Sequence, residues 1–190
     1  MFKILFLVLP LLFICEANDS LTQKSFEKLP DSKLKDINKK KVSLIDVCKD
    51  SYVVMNFWTM SCEPCKKEMK FLNEYHNKYQ DSSFKVVSIN MDTPRGMSKV
   101  KKYVKTSKYA FDVLLDPRME VFKKVGGNIM PFVIVIDNQG NITNKHIGYN
   151  KGDEKALEEE IRQLIGIVSI EDDNKDKIKI EAEPIKDVQE

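Results

Sequence analysis

Asn56-Phe57-Trp58-Thr59-Met60-Ser61-Cys62-Glu63-Pro64-Cys65-Lys66-Lys67-Glu68 is the stretch that decides how this chain is read. The residues just before it, Val53-Val54-Met55, form a short apolar run of the kind that makes a buried strand. After it, Met69, Leu72, Tyr75 and Tyr79 recur at three- and four-residue spacings, the apolar face of a helix. Cys62 and Cys65 therefore stand at a strand-to-helix turn, in a C-x-x-C spacing that can close a small disulfide and reopen it. The first turn of a helix offers unpaired N–H groups and a partial positive charge, and both stabilise a thiolate. The thiolate is the nucleophile of disulfide exchange, so the placement suits redox chemistry. Lowering such a cysteine from about 8.5 to about 7 corresponds to about 2 kcal/mol. The helix dipole supplies about 0.3–1 kcal/mol, so N–H bonds to the sulfur must provide the rest. Two competing readings are a permanent structural bridge and half of a zinc site. Zinc takes four ligands, and the two histidines, His76 and His146, stand alone in the sequence.

The 190 residues suffice for one domain with extensions. A hydrophobic fraction of 42% allows a sizeable core, and 32% charged residues indicate a solvated surface. With a net charge of only +2, nothing in the bulk balance points to nucleic acid or to an anionic membrane as a bulk partner. Met1-Phe2-Lys3 precedes an apolar run from Ile4 to Ile14, about half of what a membrane span requires, which reads as the core of an export signal over residues 1–17. Cleavage after Ala17 competes with a reading of Leu12-Phe13-Ile14-Cys15 as a bacterial lipobox, in which Cys15 would carry lipid, and with an uncleaved anchor. Ile14 departs from the small residue usual before a lipid cysteine. Each alternative places the domain outside the cytoplasm, where disulfides persist. Cys48 stands alone and reads as a buried packing residue.

Residues 18–28 read as a polar tether and 29–165 as the folded domain. A hairpin follows Leu29-Pro30-Asp31, with its turn at Lys39-Lys40-Lys41 and Val42-Ser43-Leu44 alternating out of it. Strands are expected at Tyr52–Trp58, Phe84–Met91, Phe111–Leu115 and Phe132–Ile136, with another from Asn141 to about Ile147 beyond an Asn138-Gln139-Gly140 turn. Helices are expected after Cys62, over about 95–106, over Met119–Val125 ended by Gly126-Gly127, and over Asp153–Ile165 with Asp153 as its N-cap. This order implies an α/β fold: a central mixed sheet flanked by helices on both faces. Residues 166–190 read as a charged flexible tail; 171–190 hold eight acids and four lysines.

Asn56 to Glu68, the single proline in Asn128-Ile129-Met130-Pro131-Phe132, the Asp137-Asn138-Gln139-Gly140 turn and the leading segment from Leu29 to Leu44 occur together and in order. Together they resemble the thioredoxin superfamily, and within it the exported TlpA/ResA-like branch, over roughly Leu29 to Ile165. The resemblance implies a thioredoxin-like fold with an N-terminal β-hairpin extension. It implies that Cys62 is the exposed attacking cysteine, Cys65 the buried resolving one, and Pro131 a cis-proline facing them; cis peptides are almost confined to X-Pro. Trp58, Glu63, Pro64 and Met130 would line the site, Glu63-Pro64 matching the dipeptide of ResA-type reductases. Asn56 replaces the buried acid of cytoplasmic thioredoxins, so a proton-transfer acid must come from elsewhere, with Asp92 the candidate and Glu63 a weaker one. Met130 stands where this branch more often has a small or β-branched residue. The implied activity is a protein disulfide reductase acting on exported substrates, including apocytochrome c, and recharged by a membrane thiol-relay donor. No cofactor is implied beyond the redox-active Cys62–Cys65 disulfide, and the only membrane link is an N-terminal lipid or anchor. The alternatives are an oxidant or thiol peroxidase of the same fold, or a metal-binding module.

Overall fold

The computed structural model describes residues 27–167. The export segment, Cys15 and nearly all of the acidic tail lie outside the described residues. Eight strands form one sheet among them: β1 (Glu27–Lys28), β2 (Lys33–Asp36), β3 (Lys41–Ser43), β4 (Tyr52–Trp58), β5 (Phe84–Asn90), β6 (Asp112–Leu115), β7 (Phe132–Ile136) and β8 (Asn141–Ile147), in the order β1-β8-β7-β4-β5-β6-β2-β3. The helices are α1 (Leu44–Cys48), α2 (Glu63–Tyr79), α3 (Met97–Ser107), α4 (Glu120–Lys124) and α5 (Asp153–Leu164). Strands β4, β5 and β6 run parallel, joined by the helical crossovers such pairs require, while β7 runs antiparallel to β4 and β8 to β7. This is the mixed, helix-flanked sheet of the thioredoxin-like class.

The central strands are apolar on both faces because both are covered. Val53, Met55 and Phe57 of β4 face one core with Leu44 and Cys48 of α1 and Val121 and Phe122 of α4. Val54 and Trp58, alternating with them, face a second core with Cys65, Met69 and Leu72 of α2, Val100 and Val104 of α3, and Leu157 and Ile161 of α5. Helix α4 ends where Gly126 takes φ 82°, and a Cβ on Gly127 would lie 2.3 Å from the Phe122 ring, so only glycine lets that ring seat against the backbone.

Four details differ from the sequence-based expectations. Glu27 and Lys28, assigned to the tether, pair with Ile142 and Asn141 as an edge strand. The hairpin turn spans 37–40 rather than 39–41, because the Asp36 carboxylate accepts the N–H groups of Asn38 and Lys40, both at 2.8 Å, and leaves Lys41 in β3. Leu44 does not continue a strand: the Ser43 hydroxyl accepts the N–H of Asp46 and starts α1, too short to show a helical period. Asp153 is the first residue of α5 and not its N-cap; Gly152 takes that place at φ 113°.

Candidate active site

Strand β4 delivers the chain into the C-x-x-C turn with Trp58 as its last residue. The Met91 N–H donates to the Trp58 carbonyl, and the Asp92 Oδ2 accepts the Met60 N–H at 2.7 Å and the Asn90 amide at 2.8 Å. Asp92 thus holds the loop between strand and cysteines. Cys62 then caps α2: its Sγ accepts the Cys65 N–H at 3.3 Å, an N–H bond to sulfur of the kind thiolate stabilisation calls for. Pro64 sits in the first helical turn, where its missing N–H costs nothing. Cys62 and Cys65 are joined as a disulfide, with Cα atoms 5.3 Å apart. Cys62 is partly exposed and Cys65 wholly buried, so one sulfur is open to a partner and the other lies behind it.

Phe132 pairs with Phe57, so Pro131 lies beyond the end of β7 beside Trp58 and the start of the cysteine loop. The Met130–Pro131 peptide is cis. Met130 packs against both cores, and Ile129 ahead of it is 59% exposed. On β8 the neighbouring Ile147 is equally open, and the Gly148 N–H donates to the Pro131 carbonyl. Two exposed isoleucines therefore stand close to the cis Met130–Pro131 peptide.

Trp58 does not line the surface: it is fully buried, packs on Tyr103 with ring centroids 5.6 Å apart, and supports the site from below. Glu63 is exposed and forms an ion pair with Lys66. Lys66 is largely covered and lies 5.8 Å over the Tyr103 ring. His76 accepts the Val86 N–H through Nδ1; burial holds its pKa below the usual histidine value. His146 pairs with Glu160 at 2.7 Å, and that hydrogen bond raises its pKa. Cys48 is buried and unpaired, its thiol pushed up to about 12 by burial despite the pull of Lys85.

Glu68, one helical turn after Cys65, was not singled out from the sequence. It is 6% exposed, its Oε2 has no hydrogen-bond partner within the protein, and burial pushes its pKa up to about 7 against the pull of His146. It opens onto a cleft of about 350 Å³ between α2, β8 and α5, shared with Tyr75, His146, Ile147 and Tyr149. The spacing held one signal for it: Cys65, Glu68, Met69 and Leu72 share the inward stripe of α2, and an acid on that stripe is exceptional. Asn56 and Ser88 face each other on β4 and β5, fully buried, and neither side chain has a partner. By alternation with Val54 and Trp58 the Asn56 amide points to the α2 side, beneath the active-site helix.

The AhpC/TSA family profile matches residues 26–145. The chain belongs to that family. Among relatives, it is 30% identical to the thiol-disulfide oxidoreductase ResA of Bacillus thuringiensis subsp. konkukian over 85% of this chain and 96% of that protein. To the ResA of Bacillus cereus strain ZK it is 30% identical over 77% of this chain and 88% of the other. Among solved structures, a protein described as thiol:disulfide interchange protein DsbE from Chlorobium tepidum superposes with a TM-score of 0.68 at 30% identity, covering 74% of this chain and 97% of that one. Sequence and fold thus agree: the enzyme is a thiol-disulfide oxidoreductase of the ResA type.

Proposed function

We propose that the enzyme is exported and reduces disulfides in other exported proteins. The half-open Cys62 at the helix cap, with Cys65 buried directly behind it, carries this reading. The Cys62 thiolate attacks a substrate disulfide; one substrate sulfur leaves as thiolate and a mixed disulfide forms. Cys65 then attacks the Cys62 sulfur, expels the second substrate thiolate and closes the internal disulfide, so two electrons pass to the substrate. The released thiolates take up protons. Glu68, with a pKa near neutrality one turn from Cys65, is suited to exchange the Cys65 proton. Asp92, already hydrogen-bonded to the loop, acts chiefly by positioning it. A membrane thiol-relay protein restores the reduced pair, and the cysteine disulfide of apocytochrome c, reduced to thiols before haem attachment, is the substrate we favour. The Glu63-Pro64 dipeptide, which matches that of ResA-type reductases, supports the reductive direction, and the thiol-disulfide oxidoreductase relatives support the exchange itself.

The deciding experiment is the reduction potential of the Cys62–Cys65 pair, measured by thiol trapping across defined redox buffers. A value at or below about −220 mV supports a reductase; a value near about −120 mV makes the enzyme an oxidant.

A further inference from the structure

Five lysines lie on the hairpin segment 33–41 (Lys33, Lys35, Lys39, Lys40, Lys41) and five on segment 97–108 (Lys99, Lys101, Lys102, Lys105, Lys108). The two segments contain one acid between them, Asp36, while the whole chain carries a net charge of only +2. All ten lysines are exposed, and none has an ion pair among the described residues. The fold brings them together. The hairpin adds to the sheet beside β6, and α3 covers the crossover from β5 to β6, so turn and helix meet. Between them lies a groove of about 400 Å³, with Ile37, Val104 and Tyr109 as its apolar lining and Lys101, Lys105 and Lys108 exposed around it.

Local roles account for only part of this surface. A lysine such as Lys41 protects the open edge of β3 from pairing with another chain. Lys105, in the last turn of α3, complements the helix dipole. Neither explains five lysines without an acid over residues 97–108, nor their convergence with Lys39 and Lys40. A specific protein interface is a poor fit, since such interfaces are depleted in lysine and favour arginine and aromatic anchors. A carpet of lysine point charges around a small apolar groove fits phosphate headgroups at the surface of a bilayer.

We propose that this surface docks the enzyme on anionic phospholipid, with one headgroup at the groove between α3 and the β2–β3 turn. The orientation follows from the topology. The parallel strands β4, β5 and β6 point their C-terminal ends at the disulfide, and β2 runs antiparallel to β6, with Asp36 opposite Leu114 and Lys35 opposite Leu115. The β2–β3 turn and the C-terminal half of α3 therefore lie at the far end of the sheet. Docked this way, the enzyme presents Cys62 away from the lipid surface.

The test is partitioning of the full chain between vesicles of phosphatidylcholine alone and vesicles mixed with phosphatidylglycerol. The ratio of the two cancels whatever residues 4–14 contribute to both. The expected result is a preference for the anionic vesicles that collapses as salt rises from about 0.1 to about 1 M. The triple variant Lys101→Gln, Lys105→Gln, Lys108→Gln should lower the ratio about 100-fold, at about fivefold per lysine. A control, Lys70→Gln, Lys123→Gln, Lys124→Gln, removes the same charge elsewhere on the surface and should leave most of the preference. No preference for anionic vesicles, or an equal loss in both triple variants, overturns the proposal; the former would leave the surface to an acidic protein partner. Thiol–disulfide exchange with a small disulfide should be unchanged in both variants, which separates docking from active-site chemistry.

Discussion

Replacing Glu68 by Gln should make the oxidised enzyme gain stability with rising pH relative to the parent. Burial moves the Glu68 carboxyl from an ordinary 4.5 to about 7 in the folded protein. Between those values the native state holds a proton that the unfolded chain has lost, so parent stability falls as pH climbs through that window. The shift of about 2.5 pH units, at about 1.36 kcal/mol each, makes the full loss about 3 kcal/mol by pH 8. At 6% exposure little of this is screened by solvent. Glutamine is nearly isosteric and cannot ionise, so it avoids the penalty. Whatever its amide costs or contributes in the cleft is the same at both ends of the titration and cancels in the difference. His146 titrates in both proteins, and only its coupling to Glu68 survives the subtraction. Urea unfolding at pH 5 and pH 8 measures most of the effect: because the unfolded carboxyl is already partly ionised at pH 5, the stability difference between variant and parent should grow by about 2–3 kcal/mol across this range. Growth of less than about 1 kcal/mol would refute the claim that a buried carboxyl is forced to ionise on the active-site helix.

Cys65→Ser should accumulate a mixed disulfide between Cys62 and a substrate protein, visible on non-reducing gels, whereas Cys62→Ser should accumulate none, because only Cys62 is open to attack. Cys48 should resist iodoacetamide at pH 8 in the native enzyme and react after unfolding; a thiol at about 12 leaves about one molecule in ten thousand as thiolate. Mass-spectrometric counting of labelled cysteines checks this, and native labelling would show that the site opens. Asp92→Ala removes the acceptor of the Met60 N–H and the Asn90 amide and should cost about 1–3 kcal/mol in urea unfolding. His146→Gln should remove a smaller contribution, below about 1 kcal/mol at low pH since the pair is partly exposed. The parent's contribution is complete below pH 6.5 and is lost as pH rises through the raised histidine pKa, so the two proteins should converge at high pH.

The sequence by itself determined what depends on near neighbours. The Cys62–Cys65 spacing, the proline in the first helical turn, the apolar stripe Met69-Leu72-Tyr75-Tyr79 and the continuous run Phe132–Ile136 are short-range patterns, and each became the element it indicated. The cis peptide before Pro131 was implied by the family resemblance rather than by any local pattern, and it lies at that proline. What the tertiary structure decided were burial and juxtaposition. Glu68 and Lys66 sit on one helix, yet packing against β8 and α5 isolates the first, while Tyr103 from another helix covers the second. Trp58 reads equally as core or as wall until α2 and α3 close over it. Asn56 and Ser88 become unpaired buried groups only because β4 and β5 bring them opposite each other beneath a helix. The lysines of two distant segments become one surface only where the hairpin meets α3. Periodicity and capping are read within a few residues, whereas desolvation and summed charge depend on which parts of the chain the fold brings into contact.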